Sequence, residues 1–177
     1  GRKIQLDNKD LRITDTHFPD YVIKAGASIW QDTVTISFGS EYASVGLAGV
    51  FPNHIEIETI KLFKGRFINE TDIKERRKVI VLHKKTAEIL FHKTHTEPIG
   101  QFVNMGNVAY RVVGLCNDKG DSGEKPALIP FSTLQTIYNQ GDKLSCLTIA
   151  TKNLETIEAN NNFEKEAVRT GLEPATP

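Results

Sequence analysis

The feature that most limits what this chain can become is the stretch from Val45 to Pro130, where short apolar runs are cut at close intervals by glycine and proline. Two pieces of it matter most. One runs from Val45 to Asp72; the other, from Glu97 to Cys116, reaches Ala127-Leu128-Ile129-Pro130 after a polar loop. Runs this short do not build long helices. They build strands, with apolar and polar residues alternating where one sheet face is buried. Just upstream, Val34, Ile36 and Phe38 share a face opposite Thr33, Thr35 and Ser37, the pattern of a half-buried antiparallel strand.

Taken in order, Lys3 to Leu6 predicts a short strand. Asp7 or Asn8 caps a helix running to about Phe18, stopped by Pro19 and Asp20. Strands are expected from Tyr21 to Trp30, Thr33 to Phe38 and Ala43 to Val50, separated by Gln31-Asp32 and Gly39-Ser40. Pro52 and Asn53 open a short helix carrying Ile57 and Ile60, which Gly65 breaks. There follow a strand from Lys78 to Leu82 and a helix from Thr86 to Phe91 with Ala87, Leu90 and Phe91 on one side. After Pro98-Ile99-Gly100 comes a hairpin, Gln101 to Met105 and Val108 to Cys116, turning at Gly106-Asn107. Residues 117–125 read as a polar loop, and Ala127 to Pro130 as a strand. Ser132, with Gln135 three residues on, is a capping-box pattern opening a helix through Tyr138. Leu144 to Thr151 predicts a last strand, Leu154 to about Val168 a helix, and Leu172 onward a frayed tail. The fold expected is α+β: a small α/β lobe built from both chain ends, about residues 1–42 with 131–177, and an inserted β-rich lobe, about 43–130.

Charge excludes some partners. Lys+Arg and Asp+Glu number 22 each, so the net charge is +0, and no basic surplus points to nucleic acid or anionic lipid. No run reaches the roughly 18 apolar residues that a spanning helix needs. The chain begins at Gly1 without a Met, as expected of a piece of a longer protein, so this does not make the parent soluble. The two cysteines, Cys116 and Cys146, lie in expected strands; a disulfide is conceivable if those strands are neighbours, with buried thiols as the alternative.

The candidate reactive groups each have a plainer explanation. Gly120-Asp121-Ser122-Gly123 resembles the nucleophile segment of trypsin-like proteases. Ser122 would then need a histidine base, an orienting acid and an oxyanion hole, and Glu124-Lys125 follows where that family has glycine and proline. A polar turn accounts for all four residues. His92 and His95, with His83 and Glu97 nearby, are candidate metal ligands without diagnostic spacing, and loop histidines are the plainer reading. His17 and His54 sit at helix boundaries beside Pro19 and Pro52, where capping or turn roles suit them. Trp30, Tyr21 and Tyr42 fall in strands and are expected to pack. The mixed-sign run Asp72 to Lys78, DIKERRK, is a docking patch for an acidic partner or, more simply, a solvated short helix or turn. There is no Walker pattern and no GxGxxG, so no cofactor is expected, and no residue is put forward as catalytic, cofactor-binding or metal-binding.

One ordered set of motifs goes further. It comprises Gly49-Val50-Phe51-Pro52, Lys64-Gly65-Arg66-Phe67, Asn69 to Asp72, Lys78 to Leu82, Ala87 to Phe91, Pro98-Ile99-Gly100, Arg111-Val112-Val113-Gly114 and Leu128-Ile129-Pro130 with Ser132-Thr133. In this order the motifs resemble the periplasmic core domain of MacB-type ABC transporter permeases. The resemblance implies a non-enzymatic domain inserted between the first two transmembrane helices of a permease, at the periplasmic face of the bacterial inner membrane. It implies an ATPase in the cytoplasm, fused or separate, and a permease homodimer whose motion is passed to the periplasmic domains. In the best-known members this drives export with a periplasmic adaptor and an outer-membrane channel, while relatives release lipoproteins or act in cell division. Gly49, Pro52, Gly65, Pro98, Gly100, Gly114 and Pro130 would then hold turns and bulges. The rival readings are a solute-binding module and a hydrolase using Ser122.

Overall fold

A computed structural model describes residue 9 and residues 22–58, 60–117, 126–138 and 146–151. The strand expected from Lys3, the helix ending at Phe18, His17, Tyr21, the segment around Ser122, the helix from Leu154 and the tail lie outside the described residues.

Among the described residues, eight strands share one sheet: β1 (Val22–Phe38), β2 (Glu41–Val50), β3 (Lys61–Gly65), β4 (Val79–His83), β5 (Phe102–Met105), β6 (Val108–Asn117), β7 (Ala127–Pro130) and β8 (Cys146–Thr151). Four short helices intervene: α1 (His54–Ile57), α2 (Glu70–Lys74), α3 (Lys84–Phe91) and α4 (Phe131–Ile137). The domain is therefore mixed α+β and strand-rich, as its punctuation demands.

The pairing runs β2-β7-β4-β6-β5-β1, and β1 also pairs β2, so six strands return on themselves. β2 with β7 and β4 with β6 are parallel; the other pairings round the ring are antiparallel. One apolar cluster collects the inward residues of all six, among them Ile36, Leu47, Ile80, Leu82, Val103, Val112 and Ile129. α3 adds Leu90 and Phe91 to it, and α4 adds Phe131 and Leu134, with Phe38 against Phe91 and Phe51 stacked on Phe131. A second cluster lies on the opposite face of β2, β4, β6 and β7: Ala48, Val50, Val81, Cys116 and Leu128, covered by Phe67 and Ile68. This explains why β4, β7 and the end of β2 from Leu47 to Val50 read as apolar runs, because both of their faces are buried there. β5 alternates instead, Val103 and Met105 in, Phe102 and Asn104 out, because one of its faces meets water.

Several local expectations need correction. The break at Gln31-Asp32 does not end a strand; it appears as a register shift inside the single long β1. Its first part pairs β8, which sets residues 22–28 against residues 146–151. The helix opened by Pro52 ends at Ile57, and Lys61 to Gly65 is a strand along β6, because edge pairing there supplies the backbone hydrogen bonds a helix would have made. Ser132 does not cap α4, whose first flanking residue is Pro130; its hydroxyl donates to the Ile73 carbonyl at 2.6 Å. β6 and β8 are separated by β5 and β1, so the neighbouring strands that a Cys116–Cys146 bond presupposed do not exist. Cys116 is buried.

Candidate functional site

The candidates of the sequence do not converge. His83 is the N-cap of α3, buried, and its Nδ1 accepts from the Lys85 N–H at 3.3 Å. His92, past the other end of that helix, is exposed with Nδ1 3.1 Å from the Ile89 carbonyl oxygen. His95 is exposed on the following loop at φ 49. Glu97 is taken by Lys64, whose hydrogen bond holds its carboxyl below the usual carboxylate value. Among the described residues no three His, Cys, Asp or Glu side chains come together as a metal would need. His54 is not the cap but takes the turn role: its N–H donates to the Phe51 carbonyl at 3.1 Å as the first residue of α1, and burial lowers its pKa below the ordinary imidazole value. Tyr42, expected to pack, is 72% exposed, because β2 sends Ala43 and Val45 inward and Tyr42 and Ser44 out.

What the structure does assemble is a pin that the sequence reading missed. Asp72, on α2, is 0% exposed. Its carboxylate accepts from Arg66 at 2.6 and 3.1 Å and from the Asn69 N–H at 3.0 Å, and Arg77 lies 3.9 Å away. The Asn69 side chain in turn accepts from the Asp72 N–H at 3.0 Å, completing a capping box. The signal was in the sequence: Asn69 followed three residues later by an acid just before Ile73. The run DIKERRK is thus solvated only from Lys74 onward, because Asp72 turns inward to meet the Arg66 fork.

Two glycines explain how the segment around Arg66 sits so close. Gly65 and Gly114 face one another across β3 and β6, and a Cβ on Gly114 would lie 2.1 Å from the Arg66 carbonyl oxygen. Gly65 also holds φ +75, which favours glycine. Gly49, expected at a turn or bulge, lies inside β2, where α4 comes so near that a Cβ would meet that of Leu134 at 2.8 Å.

Residues 1–162 match the family model of the MacB-like periplasmic core domain. The chain belongs to that family. Similar members include the macrolide export ATP-binding/permease protein MacB of Bartonella henselae, 29% identical over 71% of this chain, and the pyoverdine export ATP-binding/permease protein PvdT of Pseudomonas savastanoi, 32% identical over 62%. The chain spans only 19% and 17% of their lengths. In fold it matches the periplasmic region of MacB from Actinobacillus actinomycetemcomitans, with a TM-score of 0.80 at 19% identity over 97% of this chain and 78% of that one. It also matches the extracellular domain of the transporter YknZ from Gram-positive bacteria, with a TM-score of 0.74 at 21% identity over 93% of this chain and 85% of that one. The pin and the glycine crossing are therefore features of a MacB-like core domain, and no helix among the described residues is long and apolar enough to cross a membrane.

Proposed function

We propose that this chain is the extracytoplasmic domain of an ABC-type permease, not itself an enzyme, which passes nucleotide-driven motion of membrane helices to partner proteins or to substrate bound for export. The observation that carries the reading is the family match over residues 1–162, with relatives named as export ATP-binding/permease proteins of which the chain is about a fifth. The physical character of the domain supports it. A ring of strands buried on one or both faces, with α2 fixed through Asp72 and tied to α4 through Ser132, transmits force with little internal give.

In this reading the domain stands at the periplasmic face of the bacterial inner membrane. The ATPase is cytoplasmic, fused or separate, the permease is a homodimer, and a periplasmic adaptor and an outer-membrane channel complete the assembly. The domain would consist of the α/β lobe of both chain ends, about 1–42 with 131–177, and the inserted lobe of about 43–130. The β1–β8 pairing supports that meeting of the two ends.

Reading the parent gene on both sides tests the proposal. The expected result is an apolar run of roughly 20 residues upstream and several downstream, with a Walker pattern further upstream if the ATPase is fused. A signal peptide directly before Gly1 and a stop soon after Pro177 would overturn it.

A further inference from the structure

The end of α2 and the turn after it carry cations without an ion-pair partner among the described residues. Lys74, Arg76 and Lys78 are exposed, and so is Arg111 on β6; none makes an ion pair among the described residues. Of the three acids in residues 70–78, Asp72 turns inward to Arg66 and Glu75 pairs with Arg77, which leaves Glu70. Like charges held this close repel and cost stability.

The backbone does not relax to spread them. Ser132 and Thr133 donate their hydroxyls to the Ile73 and Arg77 carbonyls at 2.6 and 2.9 Å. The Arg111 N–H donates to the Lys78 carbonyl at 2.9 Å, which holds β6 beside the turn. Arg76 sits at φ 51, a left-handed conformation that costs a non-glycine residue free energy. Opposite Arg111 in the β5–β6 register, on the same outer face, Phe102 is 59% exposed.

We propose that this turn and the Phe102–Arg111 pair form a docking surface for an acidic segment of a partner protein. Carboxylates meet the fixed cations, two of which are guanidinium forks suited to bidentate contact, and an apolar side chain covers Phe102. A bilayer is the poorer fit: with a net charge of +0 the chain lacks the long-range attraction an anionic surface would exert, whereas short-range recognition of carboxylates needs only the local cations. The inference extends the docking part of the proposed function and rests on it for the partner's location alone.

The test is fluorescence anisotropy with a labelled peptide of alternating Glu and Leu, its Gln–Leu counterpart, and phosphatidylglycerol vesicles. The Glu peptide is expected to bind and the Gln peptide to bind at least about tenfold more weakly. The variant K74Q/R76Q/K78Q/R111Q should weaken the Glu peptide about tenfold, F102S should weaken it as well, and K61Q/K64Q/K84Q/K85Q should leave it within about twofold. Equal losses in the two quadruple variants would overturn the surface. So would an absence of peptide binding, or vesicle binding lost in the first quadruple variant, which would assign the patch to a membrane. These outcomes leave the parent's membrane topology untouched, so the two readings fail separately.

Discussion

The Arg66–Asp72 pin predicts an unequal response to removing its two halves. In Arg66→Met the Asp72 carboxylate stays fully buried, keeping only the Asn69 N–H at 3.0 Å and Arg77 at 3.9 Å. A buried charge stripped of its partner costs about 3–5 kcal/mol. In Asp72→Asn the side chain still offers an oxygen to the Asn69 N–H, and the Arg66 side chain, already 41% exposed, can turn to water. That variant loses mainly the charge assistance of the Arg66 bond, about 1.5–3 kcal/mol. The double variant buries no charge and should resemble Asp72→Asn, leaving a coupling as large as the Arg66→Met cost itself, about 3–5 kcal/mol. Urea unfolding followed by circular dichroism measures all three. With a slope of about 1–3 kcal/mol per molar urea, Arg66→Met should move the midpoint by about 1 M or more. Equal costs for the two single variants, or single costs that simply add in the double, would refute the account.

Other consequences can be read with the same unfolding curves. Gly114→Ala drives a Cβ into the Arg66 carbonyl oxygen and should cost about 3 kcal/mol or more, whereas Gly39→Ala, at φ +58 but in open space, should cost only about 1 kcal/mol. The Tyr110 hydroxyl is buried without a hydrogen-bond partner among the described residues, and burial, with Tyr138 nearby, pushes its pKa up. Tyr110→Phe should therefore leave stability unchanged or raise it by about 1 kcal/mol; a loss of that size would disprove the assignment. Burial lowers the pKa of His54 in the fold, so below the ordinary value of about 6.5 the unfolded chain binds more protons than the folded one. Stability should fall as pH drops through that range, by at most about 1.4 kcal/mol per pH unit, and His54→Gln should flatten that part of the curve.

Much of the sheet was legible because its signals are local. Gly39-Ser40 and Gly106-Asn107 turn the chain where expected, and the alternation of Val34, Ile36 and Phe38 gives the inner face of β1. The strand after Lys78, the helix through Phe91 and the strand from Ala127 also appear within a residue or two. Errors arose where a distant partner decided. Residues 61–65 form a strand only because β6 offers an edge, and the Ser132 hydroxyl prefers a carbonyl 59 positions away in sequence to a cap of its own helix. Tyr42 is aromatic in a strand, yet it stands near the start of β2, away from the part that carries Ala48 and Val50 of the second cluster.

By itself, then, the sequence determined an α+β class, the position of most strands and, through its ordered motifs, the family, since these depend on neighbouring residues and on spacing along the chain. Only the tertiary structure decided that six strands close on themselves, that Asp72 faces Arg66 in the interior, and that Lys74, Arg76 and Lys78 after it have no ion-pair partner among the described residues. Each of those depends on which surfaces meet, and burial turns a charge that would be unremarkable in water into one that must find its partner.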